Sequence, residues 1–200
     1  MIRILLAEDQ AMVRGALCAL LNMEEGIDVV GQAENGKQAL ALLRKETVDV
    51  LITDIEMPEL GGIELAELVA KEWPNIHVVI VTTFGRAGYV KRALSAGVKA
   101  FLLKDSPSEK LAGSLKKVMQ GQKVIDAELA IAALDDLDPL SEKERKALKL
   151  AGEGKPTSEI SKLLFLSEGT VRNYLSEAIS KLNATNRVDA ARIARQKGWL

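Results

Sequence analysis

Three acidic side chains lie at positions where they could perform phosphoryl chemistry together. Asp54 follows the apolar run 48–53, and Glu8 and Asp9 follow another apolar run, 2–7. Both runs have the length and composition of buried parallel strands, whose carboxyl ends form the edge at which open α/β sheets bind ligands. Three carboxylates in one crevice repel each other unless a divalent cation lies among them, and an all-oxygen cluster suits Mg²⁺. The pattern therefore predicts a Mg²⁺ site at which the Asp54 carboxylate accepts a phosphoryl group.

Two further groups of suitable chemistry lie at the ends of predicted strands. Thr82 ends the fourth strand, and Lys104 follows the fifth. The lysine would neutralise the incoming phosphoryl charge, and the hydroxyl would donate to a phosphoryl oxygen. Each residue alone has a plainer interpretation, because Glu8 and Asp9 could cap the following helix and a lysine beside a sheet is usually solvated. Their joint position at the ends of four strands favours the phosphoryl site.

The first 121 residues alternate strand and helix patterns, as in a doubly wound α/β fold. Five βα units favour a flavodoxin-like sheet with strand order 2-1-3-4-5, which makes the first and third strands neighbours. Ser106 is predicted to cap the fifth helix, with Pro107 at its first position. The strands are predicted at 2–7, 27–31, 48–53, 77–82 and 100–103, and the helices at about 11–23, 36–45, 62–73, 86–96 and 107–120.

The charge differs between the two halves of the chain. Residues 1–139 contain 15 basic and 21 acidic residues, a net charge of −6, whereas residues 140–200 contain 12 and 7, a net charge of +5. A basic module of this size suggests a nucleic-acid partner, although a merely charged surface has the same composition. We therefore predict an α/β domain at 1–121, a linker at 122–139 and a second, all-helical domain at 140–200. Its helices are predicted at 141–152, 157–164, 168–182 and 186–197.

The helices predicted at 157–164 and 168–182, joined by about three residues, have the pattern of a helix-turn-helix motif. Ser167 is predicted to cap the second of them, and its apolar face is marked by Val171 and Leu175. Arginine can pair with guanine edges and asparagine with adenine edges, whereas lysine and threonine commonly contact phosphates. A four-helix protein-binding module would have a similar hairpin. The predicted DNA contacts are Thr157, Gly169, Thr170, Arg172, Asn173, Ser176, Lys181 and Arg187.

Composition limits the compartment and the covalent chemistry. Cys18 is the single cysteine, so it cannot form an internal disulfide framework, and its spacing predicts a small buried core residue. The chain has no stretch of 18 uncharged apolar residues, and its first residues lead directly into a strand without room for a signal peptide. We therefore expect a cytoplasmic protein that does not associate with a membrane.

The N-terminal domain resembles the receiver domain of two-component response regulators over residues 2–120. The resemblance implies that Asp54 takes a phosphoryl group from a sensor histidine kinase and that Mg²⁺ is held by Glu8, Asp9, Asp54 and the backbone carbonyl of Glu56. It also implies that Thr82 and Phe101 rearrange on phosphorylation, with Phe101 standing where many receivers carry tyrosine. The residues that carry the resemblance are Glu8-Asp9, Asp54-Ile55-Glu56-Met57-Pro58, Thr82-Thr83, Ala96-Gly97 and Lys104.

The C-terminal domain resembles the LuxR-type DNA-binding domain over residues 140–198, and the whole chain is similar to the NarL/FixJ group of transcriptional regulators. Within that group, the segments 7–10, 82–84, 88–89, 104–108 and 198–199 are similar to those of regulators of membrane-lipid desaturation, of the DesR kind. The resemblance implies a homodimer on phosphorylation that binds double-stranded promoter DNA, with RNA polymerase as a candidate partner. Lys143, Arg172 and Tyr174 depart from the commonest residues of the family and leave the base preference open. The motifs are Leu140-Ser-Glu-Lys-Glu144, Ser158-Glu-Ile-Ser161, Leu166 to Tyr174, Lys181-Leu182 and Asn186-Arg187.

Two other functions are compatible with parts of this pattern. A Mg²⁺-dependent phosphatase or hydrolase could use Asp54 as its nucleophile, but it would need a dedicated acid or base and a substrate pocket. A signalling adaptor could carry a second domain that binds protein instead of DNA. We expect no enzyme activity beyond the protein's own phosphoryl transfer and dephosphorylation at Asp54.

Overall fold

The structure is a computed structural model that describes residues 1–83, 87–127, 129–131 and 138–200. The chain divides into two compact units, the first built mainly from residues 1–132 and the second mainly from residues 133–200. The predicted linker and the start of the helix predicted at 86–96 lie partly outside the described residues. Among the described residues, none of the helices combines the length and apolar character needed to cross a bilayer.

A parallel sheet with strand order β2-β1-β3-β4-β5-β6 forms the centre of the first unit. Its first five strands have the flavodoxin-like order predicted from the sequence. The buried strands are almost continuously apolar, as parallel strands covered on both faces must be. The strands are β1 (Ile2–Ala7), β2 (Ile27–Ala33), β3 (Val50–Thr53), β4 (His77–Thr82), β5 (Ala100–Leu103) and β6 (Val124–Ile125), and the helices are α1 (Ala11–Asn22), α2 (Gly36–Leu43), α3 (Gly62–Glu72), α4 (Ala87–Ser95) and α5 (Ser108–Met119).

The sixth strand was not predicted, because two residues are too few for a periodic pattern. β6 pairs with β5, opposite Ala100 and Phe101, and the Asp126 N–H then donates to the Phe101 carbonyl at 3.1 Å. The Asp126 carboxylate also forms an ion pair with Lys110 Nζ at 2.5 Å. The chain that leaves the sheet is thus hydrogen-bonded to β5 and held by α5.

The prediction that Ser106 caps α5 is wrong. Pro107 occupies the cap position, with no side-chain cap hydrogen bond. The Ser106 hydroxyl instead donates to the Asp126 carboxylate at 3.4 Å. The acceptor lies 20 residues away along the chain, so local sequence could not identify it.

The main core packs α1 and α5 against one face of the sheet, with Ile4, Leu6 and Leu115 almost completely buried. Cys18 is half-buried at the margin of this core, in contrast to the buried position predicted for it. The cause is its place on α1, where its Sγ lies 3.2 Å from the Gln32 side-chain nitrogen at the surface.

Within residues 138–200 the second unit is helical, with α6 (Glu142–Gly152), α7 (Thr157–Leu164), α8 (Glu168–Lys181) and α9 (Arg187–Gln196). Leu148, Ile160 and Val171 lie in their common core. The Ser167 hydroxyl accepts the Thr170 N–H at 3.1 Å, which confirms the predicted cap of α8. The turn between α7 and α8 contains Phe165 in the left-handed region, with φ of 54°.

Candidate phosphoryl-acceptor site and nucleic-acid interface

The three predicted carboxylates come together at the carboxyl ends of β1 and β3. One carboxylate oxygen from each of Glu8, Asp9 and Asp54 lies within 4.8 Å of the others. Glu8 and Asp54 are buried, whereas Asp9 is exposed. Pairing of β1 with β3 continues past the strand ends, since the Asp54 N–H donates to the Ala7 carbonyl at 3.0 Å. The sheet register therefore sets the distance between the acids.

Glu8 and Asp9 do not cap α1. Gln10 is the N-cap residue of that helix, and it forms no side-chain cap hydrogen bond. Glu8 Oε1 accepts the Gln10 N–H at 3.2 Å, a turn contact that leaves the other Glu8 oxygen directed to the cluster. The helix-cap interpretation of this acidic pair is therefore not supported by the geometry.

Lys104 lies between two of the acids. Its Nζ is 2.6 Å from Glu8 Oε2 and 2.8 Å from Asp54 Oδ2. The Lys104 N–H donates to the Thr82 carbonyl at 2.8 Å, which fixes the start of this side chain beside β4. The Lys104 side chain is 8% exposed, so it lies within the acidic cluster and not in solvent.

The backbone around Asp54 is tightly constrained. Asp54 Oδ1 accepts the Ile55 N–H at 2.7 Å, and the Thr53 hydroxyl donates to the Asp54 carbonyl at 2.9 Å. A Cβ added to Gly62 would lie 1.8 Å from that same carbonyl oxygen. Only glycine therefore fits at the first residue of α3. This positioning role was missed from the sequence, which predicted a helix from residue 62 but assigned no role to Gly62.

Burial and charge act in opposite directions on the ionisable groups. Burial raises the pKa of Glu8, although the Lys104 ammonium works against it. Burial alone would lower the pKa of Lys104, but its hydrogen bonds to Asp54 and Glu8 outweigh this effect and raise it. Lys104 is therefore a permanent cation in this crevice.

The donor set fits a hard divalent cation. Three carboxylates face one ammonium, so two negative charges are not balanced by protein groups at the described site. All the carboxylate donors are oxygens, as Mg²⁺ prefers, and the loop residue Glu56 follows Asp54 by two positions. The charge and the donor type are consistent with the predicted Mg²⁺.

The two predicted switch residues are buried in neighbouring strands of the sheet. Thr82 ends β4 and is 3% exposed, and Phe101 in β5 is fully buried. Phe101 lies opposite Ile80 in β4 and opposite Ile125 in β6. The Phe101 backbone is therefore paired to strands on both sides.

The predicted base-reading face is exposed on α8. Gly169, Arg172, Asn173 and Ser176 all lie on the surface, opposite the buried Val171 and Leu175. The Arg172 guanidinium is 3.6 Å from Glu168 in an exposed pair, which contributes little to stability. The long side chain is therefore available to a partner.

The four remaining predicted DNA contacts have different environments. Thr157 begins α7 and Arg187 begins α9, and both are half-buried. The Thr170 hydroxyl lies 2.9 Å from the Ser167 hydroxyl in the cap of α8. Lys181 is ion-paired, with Nζ 2.8 Å from the buried Glu144. Sequence reasoning assigned no role to Glu144; its capping-box pattern with Ser141 was visible, but its contact with Lys181 spans 37 residues.

Both units match known families. The response regulator receiver domain family matches residues 4–116, and the family of bacterial regulatory proteins of the luxR type matches residues 138–194. The chain is 48% identical to the uncharacterized transcriptional regulatory protein YvfU of Bacillus subtilis, and the match covers both proteins completely. It is 44% identical to the transcriptional regulatory protein DesR of the same organism, over 100% of this chain and 99% of DesR.

A solved structure is also similar over the whole chain. The response regulator ChrA of a heme-sensing two-component system superposes with a TM-score of 0.58 at 30% identity, over 100% of this chain and 98% of ChrA. The receiver match spans the acidic site, and the luxR-type match spans the exposed face of α8. The chain therefore belongs to the response regulators that join a receiver domain to a LuxR-type DNA-binding domain.

Proposed function

We propose that Asp54 is the phosphoryl acceptor and that a sensor histidine kinase is the donor. The observation that carries this proposal is the position of Asp54, whose Oδ2 is 2.8 Å from the Lys104 ammonium in a crevice shared with Glu8 and Asp9. A carboxylate oxygen forms the new bond to phosphorus as the donor leaves. Lys104 then neutralises part of the added charge, and the nearby Thr82 hydroxyl is a neutral donor for a phosphoryl oxygen.

Glu8, Asp9, Asp54 and the Glu56 carbonyl are the groups that would hold Mg²⁺. When bound, the ion supplies positive charge to the phosphoryl oxygens during transfer. The hydrolase alternative finds less support, because a second substrate would need a general acid or base. Lys104 remains charged, and Glu8 is held by Lys104. We therefore propose that the only reactions at Asp54 are its own phosphorylation and dephosphorylation.

The site can be tested by locating the phosphoryl group. The full-length protein is incubated with a small-molecule phosphodonor or with its kinase, and the label is assigned by mass spectrometry after reductive trapping. We expect the label on Asp54 and no label in Asp54→Ala. A fully labelled Asp54→Ala protein would refute the assignment.

The output domain is proposed to bind double-stranded promoter DNA in the cytoplasm through α8, here called the recognition helix. Its exposed Arg172 and Asn173 are suited to base edges in the major groove. One such helix reads only a few base pairs, so a second copy of the chain is needed to select a site in a genome. We therefore propose that phosphorylation favours a homodimer, with RNA polymerase as a further candidate partner of the DNA-bound form.

Dimerisation and DNA binding can be measured together. A phosphoryl mimic shifts an equilibrium only by its differential affinity for the two states. We expect a mostly monomeric resting protein, and a beryllofluoride-bound dimer that binds selected genomic fragments more tightly. Analytical ultracentrifugation and titration of these fragments test this, and an unchanged mass together with unchanged affinity would contradict it. Weak salt dependence of the affinity for DNA would instead favour a protein-binding adaptor.

A further inference from the structure

One ion pair connects the end of the recognition helix to the beginning of α6. Lys181 is the last residue of α8, and its Nζ lies 2.8 Å from both carboxylate oxygens of Glu144. The Glu144 side chain is 6% exposed, whereas that of Lys181 is 36% exposed. The acid is therefore inside the domain, and the lysine reaches inward to it from the surface.

Glu144 is also part of the cap that begins α6. Its Oε2 accepts the Ser141 N–H at 2.7 Å, and its own N–H donates to the Ser141 hydroxyl at 3.3 Å. These bonds hold the carboxylate at one place, but they do not neutralise it. Within the described residues, Lys181 is the cation that pairs with this carboxylate. If the ammonium turned towards a DNA phosphate, a buried carboxylate would lose its counter-charge, which is costly.

The first turn of α6 is itself fixed to the chain that enters the domain. Asp138 Oδ1 accepts the Leu140 N–H at 2.8 Å, and the other oxygen of Asp138 is ion-paired with Arg145. Arg145 follows Glu144 directly in sequence. The beginning of α6 is thus a firm support to which one end of the recognition helix is attached.

We infer that Glu144 is a positioning residue for DNA recognition: acting through Lys181, it sets the angle at which the recognition helix presents Arg172 and Asn173 to the major groove. Lys181 then acts inside the domain and is not a phosphate contact, in contrast to its predicted role. This inference rests on the proposed DNA binding. It deepens that function because it assigns specificity to two residues outside the base-reading face.

The two roles of Lys181 predict different salt dependences. A phosphate contact contributes equally to all sequences, and its loss flattens the salt slope by about one unit. A positioning contact contributes to the correct sequence and leaves the number of neutralised phosphates unchanged. Glu144→Gln separates the roles further, since removing a negative charge near DNA would strengthen binding to every sequence if Lys181 contacted phosphate.

The experiment uses the full-length protein with a duplex selected from the source genome by the wild-type protein and a random duplex of the same length. Affinities are measured over a series of salt concentrations, at a temperature where circular dichroism shows each variant folded. We expect Glu144→Gln and Lys181→Met to reduce the ratio of selected to random affinity about tenfold with an unchanged salt slope. Lys181→Arg, which keeps the pair with Glu144, should retain the ratio.

Two controls are available in the same domain. Glu142→Gln removes an exposed carboxylate from the first turn of α6, two residues from Glu144, and should leave the ratio unchanged. Arg187→Ala tests a predicted phosphate contact and should flatten the slope by about one unit. If Glu144→Gln proves unfolded, Lys181→Gln is used in its place, because this variant keeps the Glu144 carboxylate and provides a neutral donor for it.

The outcomes separate the inference from the proposed function. If wild-type protein discriminates between the duplexes but Glu144→Gln and Lys181→Met preserve the ratio, or Lys181→Met flattens the slope, the positioning role is wrong and DNA binding stands. If wild-type protein does not discriminate and shows no salt dependence, the proposed function fails and the inference fails with it. A lower melting temperature with an unchanged ratio assigns the pair to stability alone and overturns the inference.

Discussion

A buried glutamate is paired with a lysine in each unit, but the charge balance of the two clusters differs. In the receiver, Lys104 faces Glu8, Asp9 and Asp54, so the cluster retains an excess of negative charge. In the DNA-binding domain, Lys181 is paired with Glu144 among the described residues, and the pair is balanced. A buried cluster with excess negative charge attracts a cation, whereas a balanced pair fixes two helices relative to each other.

The two glutamates also titrate in opposite directions. Burial dominates at Glu8 and raises its pKa. At Glu144 burial acts in the same sense, but hydrogen bonds from Lys181 and Ser141 outweigh it, and the pKa is lowered. The direction of each pKa shift is therefore set by the balance between burial and the charges and donors around the carboxylate. Four predictions test this contrast, from the largest expected effect to the smallest.

Chelation of divalent cations should abolish phosphoryl labelling of Asp54. Without Mg²⁺ the excess negative charge of Glu8, Asp9 and Asp54 repels the phosphodonor. The measurement is labelling with excess EDTA and after Mg²⁺ is restored. The second unit is the internal control, since its balanced pair gives no reason for Trp199 fluorescence to change. Full labelling in EDTA would show that the charge excess is irrelevant.

Removal of either lysine should destabilise its own unit, but only one loss should be recovered by Mg²⁺. Lys181→Met leaves a buried carboxylate unpaired and should cost about 1–3 kcal/mol, a range lowered because the lysine is partly exposed. Lys104→Met should be destabilised without Mg²⁺ and largely restored by millimolar Mg²⁺, which replaces the missing charge. Chemical denaturation with and without Mg²⁺ measures both. If Mg²⁺ restored the stability of both variants equally, the proposed difference in charge balance between the two clusters would be contradicted.

Arg172→Ala should reduce discrimination at one base pair by about 1–3 kcal/mol if its contact is bidentate. The cause is its exposed position on the recognition helix, in contrast to the inward-directed Lys181. Affinities for single base-pair variants of the selected duplex locate the effect. Asn173→Ala is the matched comparison and should affect a different base pair. Wild-type discrimination by Arg172→Ala would mean that the reading face is misplaced.

Acidic pH should reduce the stability of the second unit because Glu144 becomes protonated. The loss of stability should be smaller than the loss caused by Lys181→Met. Because the folded pKa of Glu144 lies below its ordinary value of 4.5, its contribution is complete above pH 4.5 and is lost as the pH falls through the folded pKa. Trp199 fluorescence in a Trp73→Phe background reports the unfolding of this unit. Glu144→Gln should remove part of the acid sensitivity. An identical pH profile for this variant would assign the sensitivity to other acids.

The order of the first five strands and the acids at their ends were predictable from the sequence. Short apolar runs that alternate with helical patterns allow few arrangements, and parallel strands bring their carboxyl ends to one edge. The Ser167 cap and the exposed face of the recognition helix were likewise predictable, because caps and helical periodicity are local properties. For the cap and the helix face, the residues that determine the structure lie within one or two helical turns of each other.

Contacts between residues far apart in sequence were decided only by the tertiary structure. β6 is too short to show a periodic pattern, and it forms because it pairs with the edge of β5. Ser106 donates its hydroxyl hydrogen bond to Asp126, 20 residues away, and does not cap the helix that follows it. Lys181 has a side chain of the type that contacts phosphates, yet its ammonium is bound by a carboxylate 37 residues earlier in the chain. Charge and residue type are properties of the sequence, but the partner of a charge depends on packing, since a buried carboxylate binds the cation that the fold places beside it.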